Sequence, residues 1–153
     1  MANSKFVYVT YIRTTPERLW AALTEPELQK QYWAETWQVT DWKQGSPWHS
    51  VIPPDRVGDT GEVLEIDPPR RLVLSWRIDW IPELLAEGYS RVTYELEPVG
   101  ESVKLTLIQE FAREDSKVID AMSQGWPHIF ASIKSMLETG TPLVETTKWP
   151  EGM

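Results

Sequence analysis

Hydrophobic and polar positions follow two different periods along this chain, and the changes of period mark its elements. Phe6 to Ile12 is rich in β-branched and aromatic residues and predicts an opening strand. Thr15 then stands where an N-cap belongs. Pro16 takes the first helical position, where its missing N–H costs nothing. Leu19, Trp20 and Leu23 fall on one face of the helix that follows. Thr24 with Glu27 three residues later predicts a capping box for a second short helix, reaching Tyr32 or Trp33.

From Thr36 onward the period is two. Strands are expected over Thr36–Lys43 and Trp48–Ile52, separated by the turn-like run Gln44-Gly45-Ser46-Pro47. Pro53-Pro54-Asp55 with Gly58 and Gly61 reads as a loop, after which Glu62–Asp67 reads as a strand. Asp67-Pro68-Pro69-Arg70 is a hairpin connection, because a proline pair cannot continue a ladder. The next strand has the plainest alternation: Leu72, Leu74, Trp76, Ile78 and Trp80 share one face. Ile81–Gly88 interrupts it with Pro82 and fits a helical turn at Glu83-Leu84-Leu85-Ala86. Val92, Tyr94 and Leu96, then Val103, Leu105, Leu107, Gln109 and Phe111, continue the inward face on either side of a turn at Pro98–Glu101.

The last element is a long helix from about Ser116 to Thr139. Val118, Met122, Trp126, Ile129, Ile133, Met136 and Leu137 recur at three- and four-residue steps, and Gly140 is suited to end it. Gly125 and Pro127 predict a kink or break near residues 123–127. The boundaries are therefore a single domain over 1–140 and a tail over 141–153. That tail is polar apart from Leu143, Val144 and Trp149, and nothing in its pattern ties it down.

Composition narrows the function classes. A chain of 153 residues buries roughly 68–70% of its unfolded surface in one domain and needs no staple. It has no cysteine, which removes disulfides, thiol catalysis and thiolate metal sites together. There is no apolar run near the ~18 residues of a membrane span and no signal-peptide core, so the expected location is cytoplasmic. Net charge is −8 and the densest basic spot is Arg70-Arg71, so nucleic acid is not an expected partner. Nine tryptophans are unusual; the rings either build the core or line a pocket within it.

Strand, two short helices, six more strands and a long helix is an order that resembles the START/Bet v 1-like (SRPBCC) superfamily. Within it, the closer resemblance is to homologues of the activator of Hsp90 ATPase. The residues carrying it are Thr15-Pro16-Glu17-Arg18-Leu19-Trp20, Ala22-Leu23-Thr24-Glu25-Pro26-Glu27, Gly61 through Leu72, Trp76, and Gly125-Trp126 through Gly140. The resemblance implies an α+β helix-grip fold: a seven-stranded curved antiparallel sheet around the C-terminal helix, enclosing an apolar cavity. It implies no catalytic residues. It admits a hydrophobic-ligand binder, a protein-interaction module of the Hsp90-activator type or a homodimer, and, last, a cyclase or hydrolase.

Motif searches are mostly negative. No nucleophile elbow or phosphate-cradling loop occurs, and His49 and His128 are both expected to face solvent. Neither a metal nor a cofactor is expected. Glu65, Asp67, Asp79, Glu95 and Glu97 alternate with apolar residues and read as a solvated outer face. Tyr94, Gln109 and Ser50 are the polar residues of the inner face, where they either orient a ligand or satisfy one another. The expected function is binding of a small hydrophobic or aromatic molecule between the helix and the sheet. The candidate lining is Trp48, Trp76, Trp80, Tyr94, Leu105, Gln109, Trp126, Ile129, Phe130 and Ile133.

Overall fold

A computed structural model describes residues 4–146 and 148. Its elements are β1 (Ser4–Ile12), α1 (Pro16–Thr24), α2 (Pro26–Tyr32), β2 (Trp37–Val39), β3 (Pro47–Ile52), β4 (Arg56–Asp67), β5 (Arg71–Ile78), α3 (Pro82–Leu85), β6 (Ser90–Val99), β7 (Ser102–Phe111) and α4 (Lys117–Thr139). A short 3-10 turn, Val144–Thr146, follows. The strands form a seven-stranded sheet in the order β1-β7-β6-β5-β4-β3-β2, and each neighbouring pair is antiparallel. This is the helix-grip arrangement: α4 lies against inward side chains of several strands. Phe130 meets Tyr8 of β1 with ring centroids 5.9 Å apart, and Trp126 meets Trp76 of β5 at 5.6 Å and Tyr94 of β6 at 6.1 Å.

Local chemistry explains most boundaries. The Thr15 hydroxyl accepts a hydrogen bond from the Arg18 N–H, with Pro16 opening α1. Ser116 accepts from the Ile119 N–H at the start of α4, and the Glu87 carboxylate adds bonds to the Ser116 hydroxyl and the Lys117 N–H. At the far end Gly140 adopts φ +87° and donates to the Met136 carbonyl. On the outer face of the sheet, Arg71 pairs with Glu65 and Glu95, and Arg91 pairs with Glu65. Val73 and Thr93, a cross-strand pair lying between these residues in the register, are buried.

Several expectations are corrected. The Thr24–Glu27 capping box does not form. Glu25 is the N-cap of α2 without a side-chain bond, and the Thr24 hydroxyl donates to the Trp20 carbonyl instead. β2 ends at Val39 rather than Lys43. Trp42 takes φ +52°, and the Thr40 and Ser46 hydroxyls close the loop that leads to β3. α4 runs unbroken through Pro127. Trp126 and Phe130, on either side of that proline, are both packed on the sheet, which compensates for the lost backbone bond. The tail is docked through Thr146, whose carbonyl accepts from the Ala34 N–H at 2.6 Å and whose hydroxyl donates to Ser132. Trp149 lies outside the described residues.

The largest correction concerns residues 56–61, which continue β4 rather than forming a loop. Gly58 and Gly61 sit inside this strand because the space beside them is taken. A Cβ on Gly61 would lie 1.8 Å from the Ser75 carbonyl oxygen and 2.5 Å from the Trp48 indole nitrogen. That indole crosses over Gly61 to donate to the Ser75 carbonyl at 3.0 Å. Two backbones and a tryptophan meet at this point, so none can withdraw cheaply. Gly61→Ala is therefore expected to lower the free energy of unfolding by ~2–4 kcal/mol, measured by urea denaturation; a loss below ~0.5 kcal/mol would show that the strands separate freely here.

Candidate functional site

The interior beside α4 is divided unevenly. Beneath Trp126, Phe130 and Ile133, next to Tyr94, only about 20 Å³ is left open. Nearer the β3–β4–β5 side lies a cavity of about 430 Å³, within the ~300–1,000 Å³ usual for small-molecule sites. Its apolar wall includes Ile52, Trp76, Ile78, Trp80, Trp126 and Ile129, and the exposed residues Ala121, His128, Glu145 and Lys148 mark its mouth. α3 closes one side with Leu84.

Of the ten residues expected to line the site, Trp76, Trp80, Trp126 and Ile129 border this cavity. Tyr94, Phe130 and Ile133 border only the small remnant. Trp48, Leu105 and Gln109 border neither. Trp48 packs against Trp76, with centroids 4.5 Å apart and ring planes tilted by 60°, and acts as its backing. Leu105 is fully buried core. Gln109 is committed to internal bonds: its carbonyl accepts from the Trp126 indole at 2.9 Å, and its amide donates to the Ser90 hydroxyl and the Met122 sulfur. Burial raises the Tyr94 hydroxyl pKa, so that group stays protonated. Ser50 does line the cavity, as expected of an inner-face residue, and its hydroxyl accepts from the Asp59 N–H at 2.7 Å. It sits where the β3–β4 register shifts, and such an irregularity re-aims a side chain.

Asp59 was missed because its segment reads as a loop. Counting back by two from the buried Val63 gives Gly61 and then Asp59 on the inward face, so the signal was present. Its Oδ2 accepts a hydrogen bond from the Trp76 indole at 2.9 Å. Its Oδ1 is buried and has no hydrogen-bond partner among the described residues. Burial pushes this carboxyl up to about 7. Bonds from the Trp76 and Trp80 side chains oppose that rise, and the negative charge of Asp79 adds to it. Asp79 behaves in the opposite way. Despite its own partial burial, bonds from Arg77 at 2.6 Å and Thr60 at 2.8 Å hold it below the usual carboxylate range. Two neighbouring acids are thus driven apart in acidity, Asp59 in the cavity wall and Asp79 paired with Arg77. Thr36 is a second residue of the cavity wall with a buried hydroxyl oxygen that has no partner among the described residues.

Because the folded Asp59 carboxyl keeps its proton to higher pH than the unfolded one, it favours folding fully below about pH 4. That contribution is lost as the pH rises through about 7. Asp59→Asn keeps the acceptor for Trp76 and removes the charge. The variant should match the wild type near pH 4 and exceed it by ~2–4 kcal/mol at pH 8, measured by urea denaturation. An equal difference at both pH values would mean that the carboxyl is solvated.

Comparison with known proteins places this architecture. The fold matches the crystal structure of MLL2253 from Mesorhizobium loti, at 25% identity and TM-score 0.75, over 88% of this chain and 97% of that one. It also matches CalU16 from Micromonospora echinospora, at 18% identity and TM-score 0.70, over 89% and 77% of the two chains. A third match is the Aha1 dimer from Colwellia psychrerythraea, at 16% identity and TM-score 0.72, over 90% and 98%. No curated protein matches the chain. The family model for activator of Hsp90 ATPase homolog 1-like proteins matches residues 13–138, and the chain belongs to that family.

Proposed function

We propose that the protein binds a small, largely apolar molecule in the cavity between α4, α3 and the β3–β4–β5 part of the sheet. The observation that carries this reading is the cavity itself. It is large enough for an aromatic molecule, its lining includes four tryptophans and four isoleucines, and Asp59 is among the residues that border it. Burying an apolar ligand there contributes roughly 25 cal/mol per Å² removed from water. The site thus lies nearer the β3 side of the sheet than expected, because Trp126 fills the space under the middle of α4.

A separate observation favours partner binding of the Hsp90-activator type as a second reading. Val7, Val9 and Tyr11 form an exposed apolar row along the edge strand β1. Turnover of a chaperone ATPase with and without the chain tests it, and an unchanged rate removes it.

For the leading reading, phenylbutanol and naphthalenemethanol serve as neutral probes. Binding should quench or shift tryptophan emission and raise the melting temperature. Ala121→Trp, an exposed change at the mouth, should abolish the emission change while altering stability by less than ~0.5 kcal/mol. Equal binding by this variant would place the probes elsewhere.

A further inference from the structure

We propose that the edge strand β1 is a self-association surface. Two copies of the chain pair β1 to β1, antiparallel, about a two-fold axis at Val7, which joins their sheets into one. This does not rest on the ligand cavity. It uses the strand that carries the chaperone reading and competes with it, since one occupant excludes the other.

The order β1-β7-β6-β5-β4-β3-β2 leaves one side of β1 without a neighbouring strand. Backbone groups of successive residues point to opposite sides of a strand, so what α4 reaches identifies the free side. The Lys134 ammonium donates to the Tyr11 carbonyl, and the Arg13 N–H donates to the Glu138 carboxylate at 2.8 Å. Tyr11 and Arg13 thus turn their backbone groups away from β7, and Lys5, Val7 and Val9 share that parity. The sheet agrees. The Leu96 N–H donates toward β5, to the Arg70 carbonyl, and alternation carried through the paired registers puts the bonds of Phe6, Tyr8 and Thr10 on the β7 side. Among the described residues, no other group bonds the outward N–H and C=O of Lys5, Val7 and Val9. Edge strands are usually blunted by charges, prolines or bulges. β1 instead keeps an unbroken register with β7, and Val7 and Val9 stand 50% and 43% exposed on it.

The occupant follows from the register. α4 already holds Tyr11, which limits the free stretch to Lys5, Val7 and Val9. Centred on Val7, this stretch is its own complement. Val7 faces Val7 of the second copy and Lys5 faces Val9, each opposed pair exchanging both backbone bonds. Charge selects the same register. An axis at Val9 would set Lys5 against Arg13, and one at Lys5 would set two lysines face to face. Centring on Val7 opposes no like charges. It also brings the Arg13 end of one strand to the Ser4 end of the other. The Ser4 hydroxyl bonds the Arg113 carbonyl and the Ser116 N–H, which holds the exposed acids Glu114 and Asp115 at that end. On the outer face, Val7, Ile108, Thr93 and Val73 are aligned across β1, β7, β6 and β5, and the axis carries this row into the second copy.

Pairing over so short a stretch falls near or below the ~1,200 Å² low end of specific interfaces, so the dimer is weak. Sedimentation equilibrium from ~5 to ~500 μM should show a monomer–dimer equilibrium with a Kd of about 10–300 μM. Val7→Lys sets two ammonium groups face to face at the axis. It should weaken association ~10-fold or more while circular dichroism and melting temperature stay near the wild type. The chain has no cysteine of its own, so single cysteines report the register. Under mild oxidation Val7→Cys should give a disulfide-linked dimer, since opposed Cα atoms lie ~5.5 Å apart. Val9→Cys alone should not, because its two copies are separated by roughly 13 Å along the strands, whereas Lys5→Cys mixed with Val9→Cys should link. A monomer throughout the range would overturn the proposal and leave the edge to a strand from a different protein. Undiminished association of Val7→Lys, or Val9→Cys linking as fast as Val7→Cys, would overturn it equally.

Discussion

The hydrogen bond from the Trp126 indole to the Gln109 carbonyl is the joint on which the interior depends. It is the first link of a buried chain: the Gln109 amide donates to the Ser90 hydroxyl, and that hydroxyl donates to the Trp76 carbonyl at 3.2 Å. One line of bonds thus runs from α4 across β7 and β6 to β5. Every member is buried, so breaking any link leaves an unpaired polar group in a low-dielectric core. The chain fixes where α4 sits along the sheet. The rings around it, Trp76, Tyr94 and Phe130, then pack against Trp126 at centroid distances of 5.6 to 6.1 Å.

That joint also explains why the cavity is off-centre. Trp126 occupies the volume beneath the middle of α4, where a helix-grip fold would otherwise be hollow. What stays open is the space between its other edge, Trp80, α3 and the β3–β4 hairpin. The tail contributes here too: Thr146, docked on Ser132 and Ala34, closes the wall beside the mouth. A segment with no periodicity of its own therefore becomes part of the cavity wall.

Asp59 costs the fold stability. A carboxyl buried among tryptophans destabilises the fold wherever it is ionised, and an amide of the same shape would avoid that cost. Its neighbour Asp79 has an arginine and a threonine, whereas Asp59 Oδ1 has no hydrogen-bond partner among the described residues.

The seven strands, the two short helices and the capped C-terminal helix were legible because each announces itself locally. Thr15 and Ser116 cap, Gly140 stops, and Leu72 to Ile78 alternate. The failures share a different cause. Gly58 and Gly61 look like loop residues in one dimension, yet they are strand residues: Ile52 and Ser50 leave no room beside Gly58, and Trp48 and the Ser75 carbonyl leave none beside Gly61, all arriving from other strands. Gln109 looks like a ligand-facing amide until Trp126 is seen to claim it. Propensity and periodicity are short-range signals, so the amino-acid order determined the elements and their inward faces. Which volume stays empty, and which acid faces it, depends on side chains distant in sequence filling the rest of the core, and only the tertiary structure could decide that.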